Sequence, residues 1–335
     1  MGLKERQEAR QARKDAREAR GSKRAQEKIL LGGIMPAEAV INISEDPLHV
    51  CDRNMLPINH ALRNMWMGCA AFYVCGGPSM KSIDLSFLKE RGIVSLAINN
   101  AAAYAPVKAM AFSDPASKFS SNVFFDPAII KFVPKPKLRE RVRAKLPDGR
   151  FQWTAYTVSQ CPSVFSFERD GLYEPETFLT RDKASWGVSK RYEVNKDKDK
   201  ILCTFFIGLR LLHYLGVRRI YLLGVDFKMT PESQYAFGQS KHSGGVVSNN
   251  NSYRVATKML VTLRPHLEAA GLEVFQTNPD SDMKAFDFVD LAYAIEDCRG
   301  LVQKEPYDLS RYYEKPQIGA EPAPEGDAEE DRGED

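Results

Sequence analysis

The sequence predicts an α/β fold: a Rossmann-like, mostly parallel sheet with helices on both faces. Three observations carry this expectation. Short apolar runs at Ala71 to Val74, Val94 to Ile98, Ala109 to Phe112 and Ile220 to Leu223 have the length and composition of buried strands. Helix-period segments separate several of them, which gives the βαβ rhythm of a parallel sheet. Each run then stops at small or polar residues, namely Gly76-Gly77-Pro78-Ser79, Asn99-Asn100, Ser113-Asp114-Pro115 and Gly224-Val225-Asp226. Ligands of open α/β sheets bind beyond the carboxyl ends of the strands, so these four ends outline one cleft.

Taken in chain order, residues 1–30 read as a basic helical arm. Residues 3 to 28 lack proline and are dominated by good helix formers. Arg6, Arg10, Arg13, Arg17, Arg20 and Arg24 fall on one stripe. The stripe has two readings: a solvated helix face, or an arm that contacts nucleic acid or another acidic partner through phosphates or carboxylates. After the link Gly32-Gly33-Ile34-Met35-Pro36, the folded domain is expected over about 40–310. A helix is expected near Asn59 to Met67 and a short one at Ile83 to Arg91.

From Phe124 to Ser189 prolines interrupt the pattern and aromatics such as Phe151, Trp153 and Tyr156 are interleaved with polar residues. This stretch, about 124–190, reads as an inserted lid, its aromatics either a small second core or a stacking surface. Regularity returns with a helix at Ile201 to Leu215, the strand Ile220 to Leu223, a Gly/Ser/Asn-rich loop at Gly238 to Ser252, a helix at Tyr253 to Ala270 and a strand at Glu273 to Gln276. Asp280-Ser281-Asp282 reads either as the cap of a helix over Met283 to Tyr293 or as a metal-binding DxD. The tail 319–335 is acidic and rich in Pro, Gly and Ala, a composition that favours disorder.

Composition limits the function classes. The 47 basic and 44 acidic residues leave a net charge of +3, so the chain as a whole is no polycation. The six cysteines form no CxxC pair, which favours a reducing, cytoplasmic setting, and no apolar stretch has membrane-spanning length.

The strand ends carry the chemistry. Glycines let backbone approach a ligand closely, and Ser79 at a helix start favours anions. Asn99 and Asp114 can hold base and ribose edges. Asp226 is either an anchor of its own loop or, with Asp114, a holder of Mg²⁺ on a polyphosphate. Beyond the late strand stand Lys228, Tyr235 and His242. The imidazole of His242 is either a general base near its ordinary pKa or a solvated loop residue.

Cys75-Gly76-Gly77-Pro78-Ser79, Asn99, Asp114-Pro115, Thr204, Gly224-Val225-Asp226-Phe227 and Tyr235-Ala236-Phe237 together resemble the family-42 bacterial sialyltransferases. They are also similar to the 6-hydroxymethylpterin pyrophosphokinase MptE-like group, over roughly Phe72 to Ser121 and Ile201 to Val289. The first resemblance implies a single Rossmann-like domain with a lid, a CMP-sugar or other nucleotide-sugar donor, and inverting transfer to an unidentified acceptor without an essential metal. Gly76, Gly77, Ser79, Asn99 and Asp114 would line the nucleotide, with Thr204 near donor or sugar. Tyr235 matches one of two tyrosines on the departing phosphate, and Lys228 stands where the other is expected. The family's base histidine lies near Ser248 to Ser252, whereas His242 matches a histidine of the MptE-like group. The second resemblance implies ATP and Mg²⁺ held by Asp114 and Asp226. A third reading is a non-catalytic nucleotide- or nucleic-acid-binding protein.

Overall fold

The computed structural model describes residues 46–58, 62–119, 121–188, 203–237 and 243–299. All belong to one unit, Met1–Val302. The basic arm 1–30, His242 and the acidic tail 319–335 lie outside the described residues.

Among the described residues, nine strands form the central sheet: β1 (Val50–Cys51), β2 (Ala70–Val74), β3 (Val94–Ile98), β4 (Ala109–Ala111), β5 (Ile130–Pro134), β8 (Val164–Phe167), β11 (Arg219–Leu223), β12 (Glu273–Gln276) and β13 (Asp287–Phe288). Their spatial order is β1-β8-β5-β4-β3-β2-β11-β12-β13. Every neighbouring pair is parallel except β1 with β8, so the sheet is mostly parallel, as expected. Successive strands β2 to β5 step one way from the centre, while β11 to β13 step the other way. The order therefore reverses between β2 and β11, and a crevice opens at that point beyond the strand ends.

The continuous apolar strands follow from burial on both faces. In β2, Ala71 and Tyr73 belong to one core and Ala70, Phe72 and Val74 to the other; in β11, Ile220 and Leu222 divide from Tyr221 and Leu223 in the same way. The first face is covered by α2 (Thr204–Tyr214) and α3 (Ser243–Ala269), the second by α1 (Ser121–Phe125), α4 (Leu291–Arg299) and short 3-10 turns. Helices thus lie on both faces.

Several expectations are corrected. The region 124–190 is not an insertion beside the sheet, because β5 and β8 within it are integral strands of the sheet. Its accessory parts are the antiparallel hairpin β6 (Arg141–Lys145) with β7 (Phe151–Thr157), and the parallel pair β9 (Arg169–Leu172) with β10 (Ala184–Val188). Ile83 to Arg91 forms no α-helix; 3-10 turns at Pro78–Ser82 and Ser86–Lys89 take its place. Leu62 to Gly68 is a run of turns, and Asn59 to Ala61 lie outside the described residues. The expected loop ending at Ser252 becomes helix from Ser243 onward, while the helix expected at Met283 begins only at Leu291.

Two contacts on α2 fix the first layer. Gly208 allows the helix to settle onto β2: a Cβ there would lie 2.1 Å from the Tyr73 hydroxyl oxygen. That hydroxyl donates to the Phe205 carbonyl at 2.8 Å, so the ring has little freedom to move away. Further along, the fully buried Arg210 guanidinium donates to both carboxylate oxygens of Asp46, and His213 Nδ1 lies 2.9 Å from Asp46 Oδ2. Burial alone would raise the Asp46 pKa, but the hydrogen bonds from His213 and Arg210 outweigh it and hold the carboxyl well below its ordinary range.

Two outcomes are expected. Gly208→Ala lowers stability by about 1–3 kcal/mol through overpacking, read as a fall in the urea midpoint at unchanged slope. Because the Asp46 pKa is depressed on folding, its contribution is complete above the unfolded value, roughly pH 4, and is lost as pH falls below it. Asp46→Asn leaves Arg210 buried without its counter-charge, costs about 3–5 kcal/mol, and flattens the acid limb of stability against pH. An unchanged acid limb in Asp46→Asn would show that other carboxylates govern it.

Candidate functional site

At the reversal of strand order lies a cleft of about 340 Å³. Gly76 and Gly77 enter it from β2, Asn99 from β3, Asp114 from β4, Thr204 from the start of α2, and Asp226, Lys228 and Tyr235 from the segment after β11. Eight of the candidates named from the sequence therefore share one cavity. Ser79 stands just behind its wall, and His242 lies outside the described residues.

Asp226 organises this region. Its Oδ2 accepts the Ser79 backbone N–H at 2.8 Å, and its Oδ1 accepts the Asn278 side-chain amide at 2.7 Å. Gly77 donates its N–H to the Gly224 carbonyl at 2.8 Å. A Cβ on Gly77 would lie 2.4 Å from that carbonyl and 2.6 Å from Asp226 Oδ2, so the close seam between the two strand ends requires glycine there. The N–H expected to receive a ligand's anion at Ser79 is thus satisfied by the protein's own carboxylate. These bonds match the anchor reading of Asp226. Asp114 instead faces Lys118 at 3.4 Å, a mostly exposed pair. With both Asp226 oxygens holding N–H donors and Asp114 turned to a lysine, this donor set does not fit a magnesium ion shared by the two carboxylates. Among the described residues no group of three or more His, Cys, Asp or Glu is arranged for a metal.

Asp280-Ser281-Asp282 caps no helix, since α4 begins only at Leu291. The Ser281 hydroxyl donates to the Val225 carbonyl at 2.6 Å, and the Asp282 N–H donates to the Asp226 carbonyl at 2.9 Å. The segment braces the loop that carries Asp226.

The anion-receptive end of the cleft is elsewhere. Helix α2 runs 11 residues and starts at Thr204; Cys203, Thr204 and Phe205 line the cavity, so the positive end of the helix faces it. Lys228 adds a cation at the same cleft while donating to the Asp280 carbonyl at 2.8 Å. Burial raises the Tyr235 phenol pKa, even though a hydrogen bond with Asn249 pulls it down. The phenol is therefore a neutral donor at physiological pH.

Aromatic contacts hold part of the remaining lining in place. Phe227 has a φ of 50° and Asn99 likewise, both in the left-handed region that non-glycine residues seldom occupy. Phe227 is held there by stacking on Tyr253 at a 5.0 Å centroid separation and by Phe205 at 5.7 Å. Tyr235 stacks on Phe237 at 5.7 Å, and Phe237 on Tyr104 at 4.2 Å, which ties two cleft loops together over Gly76. Cys75 and Cys203 also line the cleft, but burial raises both thiols, Cys203 to about 11, so neither is a thiolate nucleophile at neutral pH. Among the described residues, the buried oxygens Ser79 Oγ, Asn99 Oδ1 and Ser113 Oγ lack hydrogen-bond partners. Buried polar atoms are ordinarily satisfied, and these three lie in a row at the ends of β2, β3 and β4.

Sequence reading did not single out Asn249, Phe205, Tyr253 or Tyr104. Asn249 had one signal: it lies within the Ser248 to Ser252 stretch where the sialyltransferase resemblance expects a base. An amide cannot serve as one at neutral pH.

Asp226→Asn replaces a double acceptor by one carbonyl and one amide, so either the Ser79 N–H or the Asn278 amide faces a donor. A loss of about 1–3 kcal/mol is expected, with faster hydrogen exchange at the Ser79 amide; unchanged exchange there would contradict the anchor. Comparison of the chain with protein-family models, curated proteins and solved structures returns no match.

Proposed function

We propose that the chain is a transferase that uses a nucleotide-activated sugar, in the manner of the sialyltransferases it resembles. One observation carries the reading: the start of α2, Lys228 and Tyr235 line the same cleft as the glycine and polar strand ends. That pairing suits a ligand with an anionic centre attached to hydrogen-bonding rings.

In this reading Gly76 and Gly77 admit the nucleotide to close backbone contact, and Asn99 and Asp114 hold its base and ribose edges. Its phosphate faces Thr204, Lys228 and Tyr235. The bond between the anomeric carbon and the phosphate oxygen breaks while a new one forms to the acceptor oxygen. Negative charge grows on the phosphate as this happens, and a neutral phenol and a lysine lining the same cleft stabilise that charge where it develops. The acceptor's proton passes to a base, the role this reading gives to His242. The pyrophosphokinase alternative draws less support, because Asp226 and Asp114 are committed to Ser79, Asn278 and Lys118 rather than to each other.

A thermal-shift screen tests the reading, since a ligand that binds only the folded state stabilises it by mass action. CMP-, UDP- and GDP-sugars and ATP would be compared in EDTA and in Mg²⁺. A nucleotide sugar is expected to raise Tm equally in both, and Tyr235→Phe to lower turnover about a hundredfold with little change in that shift. Stabilisation by ATP only with Mg²⁺ would select pyrophosphoryl transfer; a nucleotide sugar that binds without turnover would leave a binding protein. No shift with any nucleotide defeats the proposal.

A further inference from the structure

The hairpin β6–β7 presents an arginine and aromatic surface that the cleft does not use. Arg141 and Arg143 stand at alternate positions of β6, and between Arg139 and Thr157 the sequence holds five basic residues against two acids. Alternate positions of a strand share a face. In β7 the opposite partner of Arg143 is Trp153. The Arg143 guanidinium lies 4.4 Å from the Phe151 ring centre and 5.8 Å from that of Trp153, and Arg141 lies 5.9 Å from Trp153. Guanidinium groups and rings therefore form one continuous layer.

The layer is open. Phe151 is 50% exposed and Trp153 51%, while other aromatics of the same region, Phe167, Tyr173 and Phe178, are buried in the core. The two acids are already engaged: Glu140 accepts from the Ala116 N–H and the Lys137 ammonium, both at 2.6 Å, and Asp148 pairs with Arg150 at 2.7 Å. At the foot of the hairpin a groove of about 420 Å³ is lined by Pro115, Ser117, Glu140, Arg141 and Trp153.

We propose that this face of the β6–β7 hairpin binds a single-stranded nucleic acid, with bases stacked on Phe151 and Trp153 and phosphates drawn to the arginines. Charge complementarity selects this occupant. A second copy docking the same face would set arginine against arginine, whereas a single strand supplies both π-faces and a phosphate at every residue. Base–aromatic stacking tolerates any sequence, so the interaction is sequence-indifferent and salt-sensitive. The inference stands independently of the nucleotide-sugar reading.

Fluorescence anisotropy of a labelled twenty-nucleotide oligo(dT) against the full chain tests it. Binding is expected, with at least a tenfold loss in Phe151→Ala/Trp153→Ala and near-retention in Trp153→Phe, at unchanged Tm and far-UV circular dichroism. Photo-crosslinking of an iodouridine-bearing oligonucleotide to the wild-type chain should label peptides within 141–157, a readout that does not depend on any variant folding. Absence of binding, an alanine variant that binds like wild type, or crosslinks confined to residues 1–30 overturns the proposal. So does a chain that ignores the oligonucleotide but forms dimers abolished by Trp153→Ala, or whose acidic tail crosslinks to the hairpin.

Discussion

One carboxylate holds the site together. Asp226 accepts from the turn after β2 through Ser79 and from the segment after β12 through Asn278, so three parallel strands are tied at their carboxyl ends by one side chain. The cost of burying it is offset because both oxygens have N–H partners. Gly77 then allows the backbones of two strand ends to touch, and Ser281 closes the loop from behind. The cleft has rigid walls before any ligand enters, which is the condition for oriented binding.

Helix α2 links that rigidity to the core. Gly208 lets it lie against Tyr73, the buried Arg210–Asp46 pair fixes its far end, and its first residue stands in the cleft. The same eleven residues therefore serve packing on one side and place a positive helix end on the other. Because the helix is pinned at the core, Thr204 cannot drift without disturbing the layer beneath it.

The parts of the fold that were legible in sequence are those where local and global signals agree. β2 and β4 are unbroken apolar runs, β3 is interrupted only by the small Ser95 and β11 is apolar after Arg219, and each ends in a residue that reaches the cleft or its edge. β5 was missed because Lys131 interrupts its run, yet that lysine is buried, its ammonium donating to the Pro162 carbonyl at 2.9 Å, with burial lowering its pKa to about 8. The early start of α3 was hidden by Gly, Ser and Asn, poor helix formers whose preference is overridden by tertiary bonds. The Asn250 side-chain amide, for example, accepts from the Met229 backbone N–H at 2.9 Å and donates to the Met229 carbonyl at 2.8 Å. Asp226 was recognised as important, but its partners come from remote segments, and no local pattern could reveal that Ser79 serves it rather than a ligand.

The pairing of β2 with β11 has a consequence for synthesis. β2 is an inner strand of the sheet, yet one of its two neighbours is encoded by residues Arg219 to Leu223, long after the other. While the chain emerges, β3, β4, β5 and β8 can assemble on one side of β2, leaving its other edge without a partner. That edge belongs to five residues that are all buried in the finished fold, and unpaired apolar edges recruit other chains. A nascent chain of this protein passes through an interval in which an inner strand of its finished sheet is an open edge, and the arrival of β11 ends it.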